Sequence, residues 1–139
     1  MKITSCLSLP YFIKTEDQSS PGRFRQDYME EMMKRHGQLI GIKKGKLEEY
    51  KKYHAAIWPE IAAKIKECNI RNYSIFHKDG MLFAYFEYTG EDFEADMAKM
   101  AADKKTQEWW DIMMPMQEPW STRGEGEWWA EMEEVFHLD

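Results

Sequence analysis

Ile70-Arg71-Asn72-Tyr73-Ser74-Ile75-Phe76-His77, then Lys78-Asp79-Gly80, then Met81-Leu82-Phe83-Ala84-Tyr85-Phe86-Glu87-Tyr88 is the stretch on which the fold turns. Both runs are rich in aromatic and β-branched residues, and Asp-Gly between such runs is a strong hairpin signal. Two antiparallel strands are predicted. In the second, Met81, Phe83 and Tyr85 occupy one face and Leu82, Ala84 and Phe86 the other, so both faces are apolar and both should be covered.

Upstream, Gln38 to Ile42 reads as a short strand broken by Lys44-Gly45. Leu47, Tyr50, His54, Ile57, Trp58, Ile61, Ile65 and Cys68 then recur at three- and four-residue steps, the apolar stripe of a helix. Pro59 falls inside that stripe, removes a backbone donor and crowds the carbonyl of Ala55, so a kink or a broken pair of helices is expected near Trp58. Downstream, Thr89-Gly90-Glu91-Asp92 opens a helix carrying Phe93, Met97, Met100 and Ala101, and a second helical stretch holds Thr106, Trp109, Trp110 and Met113 before Pro115. A loop is predicted from there to about Glu127, and Met132 to Leu138 reads as a last strand. The order is βαββαβ, an α+β fold of the ferredoxin-like kind with helices on one side of one antiparallel sheet. The uncovered sheet face argues for a homodimer.

The chain of 139 residues suits one core. Residues 1–34 read as an N-terminal extension and 35–139 as the domain. Within the extension, Pro10 interrupts the apolar patch Ile3 to Ile13 and no cleavage site precedes Lys14-Thr15-Glu16-Asp17, so secretion is not expected. With 25 acidic against 19 basic residues the formal net charge is −6, which disfavours nucleic acid as a partner. No apolar run is long enough for a membrane span. The two cysteines, Cys6 and Cys68, indicate neither a disulfide framework nor a thiolate metal site, and a cytoplasmic location fits them best.

No phosphate-cradling glycine loop and no nucleophile elbow is present. The four histidines, His36, His54, His77 and His137, form no His-x-His or His-x-x-x-His pair, so no metal site is implied. His54 is the informative one, because it stands one turn after Tyr50 on the apolar stripe. It is either a satisfied core histidine or an acid/base residue beside a tyrosine. Tyr73 lies on the following strand, on the face with Arg71, Ile75 and His77, and by itself reads as an aromatic packing position. Trp109 and Trp110 project about 100° apart, so one should face a cavity or the surface. An indole with an apolar face and a polar N–H suits a sugar, whose C–H patches stack while its hydroxyls hydrogen-bond. Trp128-Trp129, in the predicted loop, could cap the same pocket or a subunit contact.

Taken in order, Gly45 to Glu60 with its Tyr-x-x-x-His-x-x-Ile-Trp-Pro-Glu block, Asn72-Tyr73-Ser74-Ile75, Trp109-Trp110 and the ending Met132 to Leu138 resemble the L-rhamnose mutarotase family. The resemblance covers about Lys34 to Asp139. It implies a dimeric ferredoxin-like α/β barrel, interconversion of the α and β anomers of L-rhamnose, and no metal or organic cofactor. It further implies that His54 is catalytic and that Tyr50, Tyr73, Trp109 and Trp110 contact the sugar. The family's pattern lacks the N-terminal segment. Two other functions fit the same fold, a haem-degrading or quinone-forming monooxygenase and a non-catalytic sugar-binding module.

Overall fold

The computed structural model describes residues 33–139; Cys6, the Ile3 to Ile13 patch and nearly all of the N-terminal extension lie outside them. The elements run β1 (Lys34–Ile42), α1 (Leu47–Ala55), α2 (Pro59–Glu67), β2 (Ile70–Lys78), β3 (Met81–Tyr88), α3 (Phe93–Ala102), α4 (Lys104–Met113), a 3-10 turn (Met114–Met116), β4 (Gln117–Glu118) and β5 (Ala130–Met132). This is the α+β, βαββαβ order read from the sequence, with each crossover made of two helices.

The hairpin forms where Asp-Gly places it. Asp79 and Gly80 both take positive φ, 49° and 78°, the left-handed pair that matches the twist of two antiparallel strands. Pro59 does more than kink its helix. Trp58 is extended ahead of it (φ −63°, ψ 134°), as a residue before proline prefers, and Pro59 becomes the first residue of α2, where its missing N–H costs nothing. Asp92 caps α3 by accepting from the Ala95 amide at 3.0 Å, and Asp103 caps α4 by accepting from the Thr106 amide at 2.9 Å.

The sheet runs β2-β3-β1-β4, and β5 joins the same edge of β1 further along. Leu82, Ala84, Phe86 and Tyr88 of β3 are buried beneath the helices. The core gathers Ile40, Ile42, Tyr50, Ile61, Leu82, Trp109, Met113 and Met116. On the other face Phe76 is 62% exposed and Met132 39%.

Four expectations need correction. β1 starts at Lys34, four residues before Gln38, because Lys34 to Gly37 pair with Tyr85 to Tyr88 of β3 and their polar side chains find partners. Arg35 bridges Glu134 at 2.7 Å, and the His36 ring lies between Phe86 and Phe93 with Nδ1 2.6 Å from Glu131. The loop expected to run to Glu127 contains β4, which pairs with Gly41 and Ile42. Glycine permits that approach, since a Cβ at position 41 would lie 2.9 Å from the Glu118 carbonyl oxygen.

The last strand is Ala130–Met132, ending where Met132 to Leu138 was expected to begin. Gly37 pairs with Met132, so Val135 would fall opposite Lys34, the first residue of β1, and Phe136 onward would pass its end. Val135 and Phe136 are accordingly 88% and 79% exposed. Finally, Arg71 does not share a face with Tyr73. Arg71 pairs with Glu87 and Ser74 with Tyr85, so Asn72 and Tyr73 together oppose Phe86 in a β-bulge, with Asn72 at φ 47°. The extra residue turns Tyr73 onto the helix-covered face, where its ring meets Phe86 edge-on at 5.7 Å.

Candidate active site

Tyr50 and His54 stand one turn apart on α1, with ring centroids 4.2 Å apart. The i, i+4 spacing aligns them, and α1 packs that face on the sheet. Trp109 of α4 closes one side, edge-on to His54 at 5.4 Å and to Trp58 at 5.3 Å. It is 6% exposed and belongs to the core. Trp110 is 36% exposed and stands outside this ring cluster, the separation that the tandem spacing demands.

His54 is half-buried, and its Nδ1 lies 2.9 Å from the backbone carbonyl oxygen of Tyr50. A carbonyl only accepts, so Nδ1 carries the hydrogen and Nε2 of the neutral ring is a bare acceptor. Burial lowers the His54 pKa, and the hydrogen bond to the Tyr50 carbonyl offsets part of that fall. The uncharged, proton-accepting form is therefore favoured at neutral pH.

Tyr50 is buried, and burial raises its pKa to about 12, a rise partly opposed by a hydrogen bond from Gln117. Tyr73 remains 41% exposed, yet burial raises its pKa too, with a smaller contribution from Tyr50. Together these describe a residue lining an open cleft: protein crowds the phenol oxygen while part of the side chain meets solvent. Both phenols stay protonated at neutral pH and can donate hydrogen bonds.

Gln117 of β4, 5% exposed, was placed in a loop by the sequence reading and carried no local signal. Its Nε2 is 3.3 Å from the Tyr50 hydroxyl oxygen, and its Oε1 accepts from Trp128 Nε1 at 2.8 Å. Trp128 thus reaches the cluster from the loop, as one of the two expectations for the second tandem held. A depression of about 460 Å³ lies behind this amide, against Lys43, Asp111, Pro115, Glu118 and Trp128. Neither His54 nor Tyr50 lines it. Among the described residues no group of three or more His, Cys, Asp or Glu is arranged to hold a metal ion.

Residues 35–138 match the model of the L-rhamnose mutarotase family. The chain belongs to the L-rhamnose mutarotase family. Two bacterial L-rhamnose mutarotases, from Oceanobacillus iheyensis and Bacillus subtilis, are 36% and 37% identical to it over 109 residues, which span 77% of this chain and all of each relative. The crystal structure of an L-rhamnose mutarotase from Formosa agariphila superposes with a TM-score of 0.61 over 76% of this chain and 99% of that one. At 24% identity that likeness speaks for the fold. Membership makes the chain an isomerase of a family that acts on a sugar, and no helix among the described residues is long and apolar enough to cross a membrane.

Proposed function

We propose that this chain interconverts the α and β anomers of L-rhamnose, with His54 as the proton-transferring residue and Tyr50, Tyr73, Trp109 and Trp110 as the sugar-contacting ones. The observation that carries the reading is the His54 tautomer: a bare Nε2 on a neutral imidazole, beside a protonated phenol, in an aromatic cleft. Mutarotation asks for that pairing. Nε2 takes the proton of the anomeric hydroxyl, the bond between C1 and the ring oxygen breaks, and the ring oxygen takes a proton from the donor on its other side, for which Tyr50 is placed. The open aldehyde rotates about C1–C2. On closure the ring hydroxyl returns its proton to the phenolate while the imidazolium protonates the new anomeric oxygen, and the site is regenerated. Positioned proton transfer of this kind contributes about 10²- to 10⁴-fold, a fitting scale for a reaction that already proceeds in water.

A homodimer belongs to the same reading. Phe76 and Met132 on the open sheet face, with Val135, Phe136 and Leu138 beyond β5, are large apolar side chains left exposed by one chain, and a second copy would cover them. Residues 1–34 are read as an extension that the reaction does not need, and the buried free thiol of Cys68 suits a reducing cytoplasm. Exchange spectroscopy on equilibrated L-rhamnose tests the function, because it reports magnetisation passing between the two anomeric protons. Exchange no faster with protein than without it would refute the reading.

A further inference from the structure

The Tyr50 hydroxyl is oriented by two residues that lie far from it in sequence. Gln117 is buried and its side-chain amide is engaged at both ends, by Trp128 and by Tyr50. An indole N–H can only donate, so at 2.8 Å it selects the amide oxygen and leaves the amide nitrogen toward Tyr50. That nitrogen has hydrogens and no accepting lone pair. At 3.3 Å the phenol oxygen must accept, and its own proton is left free to point away from Gln117. We propose that Gln117 and Trp128 are positioning residues that hold the Tyr50 hydroxyl as a hydrogen-bond donor toward the sugar.

The inference rests on the mutarotase reading for its substrate, while the direction of the Tyr50 proton rests on the amide geometry alone. Position 117 could have held an apolar residue at lower desolvation cost, as its neighbour Met116 does in the same core. The amide instead joins side chains 11 and 67 residues away through a chain whose every proton has one direction. A donor fixed before the sugar arrives needs no reorganisation as charge develops on the ring oxygen.

Gln117→Glu keeps the shape and reverses the logic at about pH 9, where even a buried carboxyl ionises: the carboxylate still accepts from Trp128, and now takes the Tyr50 proton as well. The rate constant for rhamnose anomer exchange should fall about tenfold or more with little change in KM. In a Tyr50→Phe background the same substitution should change the rate less than about twofold, since independent sites alone add. Trp128→Phe, which frees the amide to turn, should reproduce the fall in the same Tyr50-dependent way. Equal losses with and without the Tyr50 hydroxyl, or no loss in either variant, would overturn the proposal. A second readout uses no sugar: the Tyr50 contribution to the tyrosine Raman doublet, isolated by subtracting the Tyr50→Phe spectrum, should move from hydrogen-bond acceptor to donor intensities in Gln117→Glu. An unchanged doublet refutes the orientation, whereas absent exchange in the wild type with a shifted doublet refutes only the mutarotase reading.

Discussion

His54→Ala tests the proposed chemistry most directly. The substitution removes the Nε2 acceptor that the Nδ1–H bond to the Tyr50 carbonyl keeps free of a hydrogen. If that nitrogen carries the transfer, the catalysed exchange rate should fall about 10²- to 10⁴-fold, or about 2.7 to 5.4 kcal/mol at 1.36 kcal/mol per factor of ten. The fold should survive. His54 is half-buried and outside the buried core cluster, so a loss of about 1 kcal/mol is expected, or a melting temperature lower by about 4 to 8 °C. The assay is exchange spectroscopy on equilibrated rhamnose, with circular dichroism on the same sample. The wild-type pH profile supplies an independent check. Burial lowers the His54 pKa, so the neutral base persists below the ordinary midpoint of about 6.5, and activity should be lost only as pH falls through a lower value. Stability follows the same sign: the folded state disfavours the cation relative to the unfolded chain, so stability held above about pH 6.5 erodes as pH drops beneath it. A folded His54→Ala variant with undiminished exchange, or an acid limb above about 6.5, would refute the assignment.

Trp109→Ala should weaken activity and also destabilise the domain by about 3 to 5 kcal/mol, because it empties a core position against Trp58, Tyr53 and His54; a chemical melt superimposing on wild type would contradict this. Sedimentation should give a dimer at micromolar concentration, and Phe76→Glu, on the open sheet face, should shift it toward monomer; a wild-type monomer sinks the homodimer. A chain beginning at Met33, just before β1, should exchange anomers at the full rate with an unaltered melting temperature, and a loss in either would assign residues 1–32 a part in the domain.

Much of the architecture was legible because its signals are local. Asp79-Gly80 fixed a turn through backbone preference, Pro59 fixed a helix boundary by lacking a donor, and the three- and four-residue spacing of Tyr50 and His54 fixed their shared face. What escaped depends on partners distant in the chain. The bulge at Asn72-Tyr73 exists only relative to β3, and one extra residue reverses every facing after it, which is why Arg71 was grouped with Tyr73 in error. β4 has no signature beyond the carbonyl approach that Gly41 permits, and the end of β5 is set by where β1 runs out. Gln117 was invisible for the same reason: a buried amide is recognisable only once Trp128 and Tyr50 stand on either side of it.

The site and the core share residues, and this decides which substitutions carry information. Tyr50 and Trp109 both belong to the buried cluster that joins the helices to the sheet, so truncating either mixes lost packing with lost chemistry. A fall in activity at Trp109 therefore cannot by itself separate stacking on a sugar from a loosened α4. His54 stands at the margin of that cluster, and Gln117→Glu changes proton direction with nearly constant volume, so both perturb the proposed transfer without opening a cavity. Tyr50→Phe is the third of this kind, removing one oxygen and keeping the ring against His54. If the cleft works by oriented protons, these three should lower the rate while the melting curve stays close to wild type. If it works by shape alone, they should leave the rate nearly unchanged and Trp109→Ala should dominate.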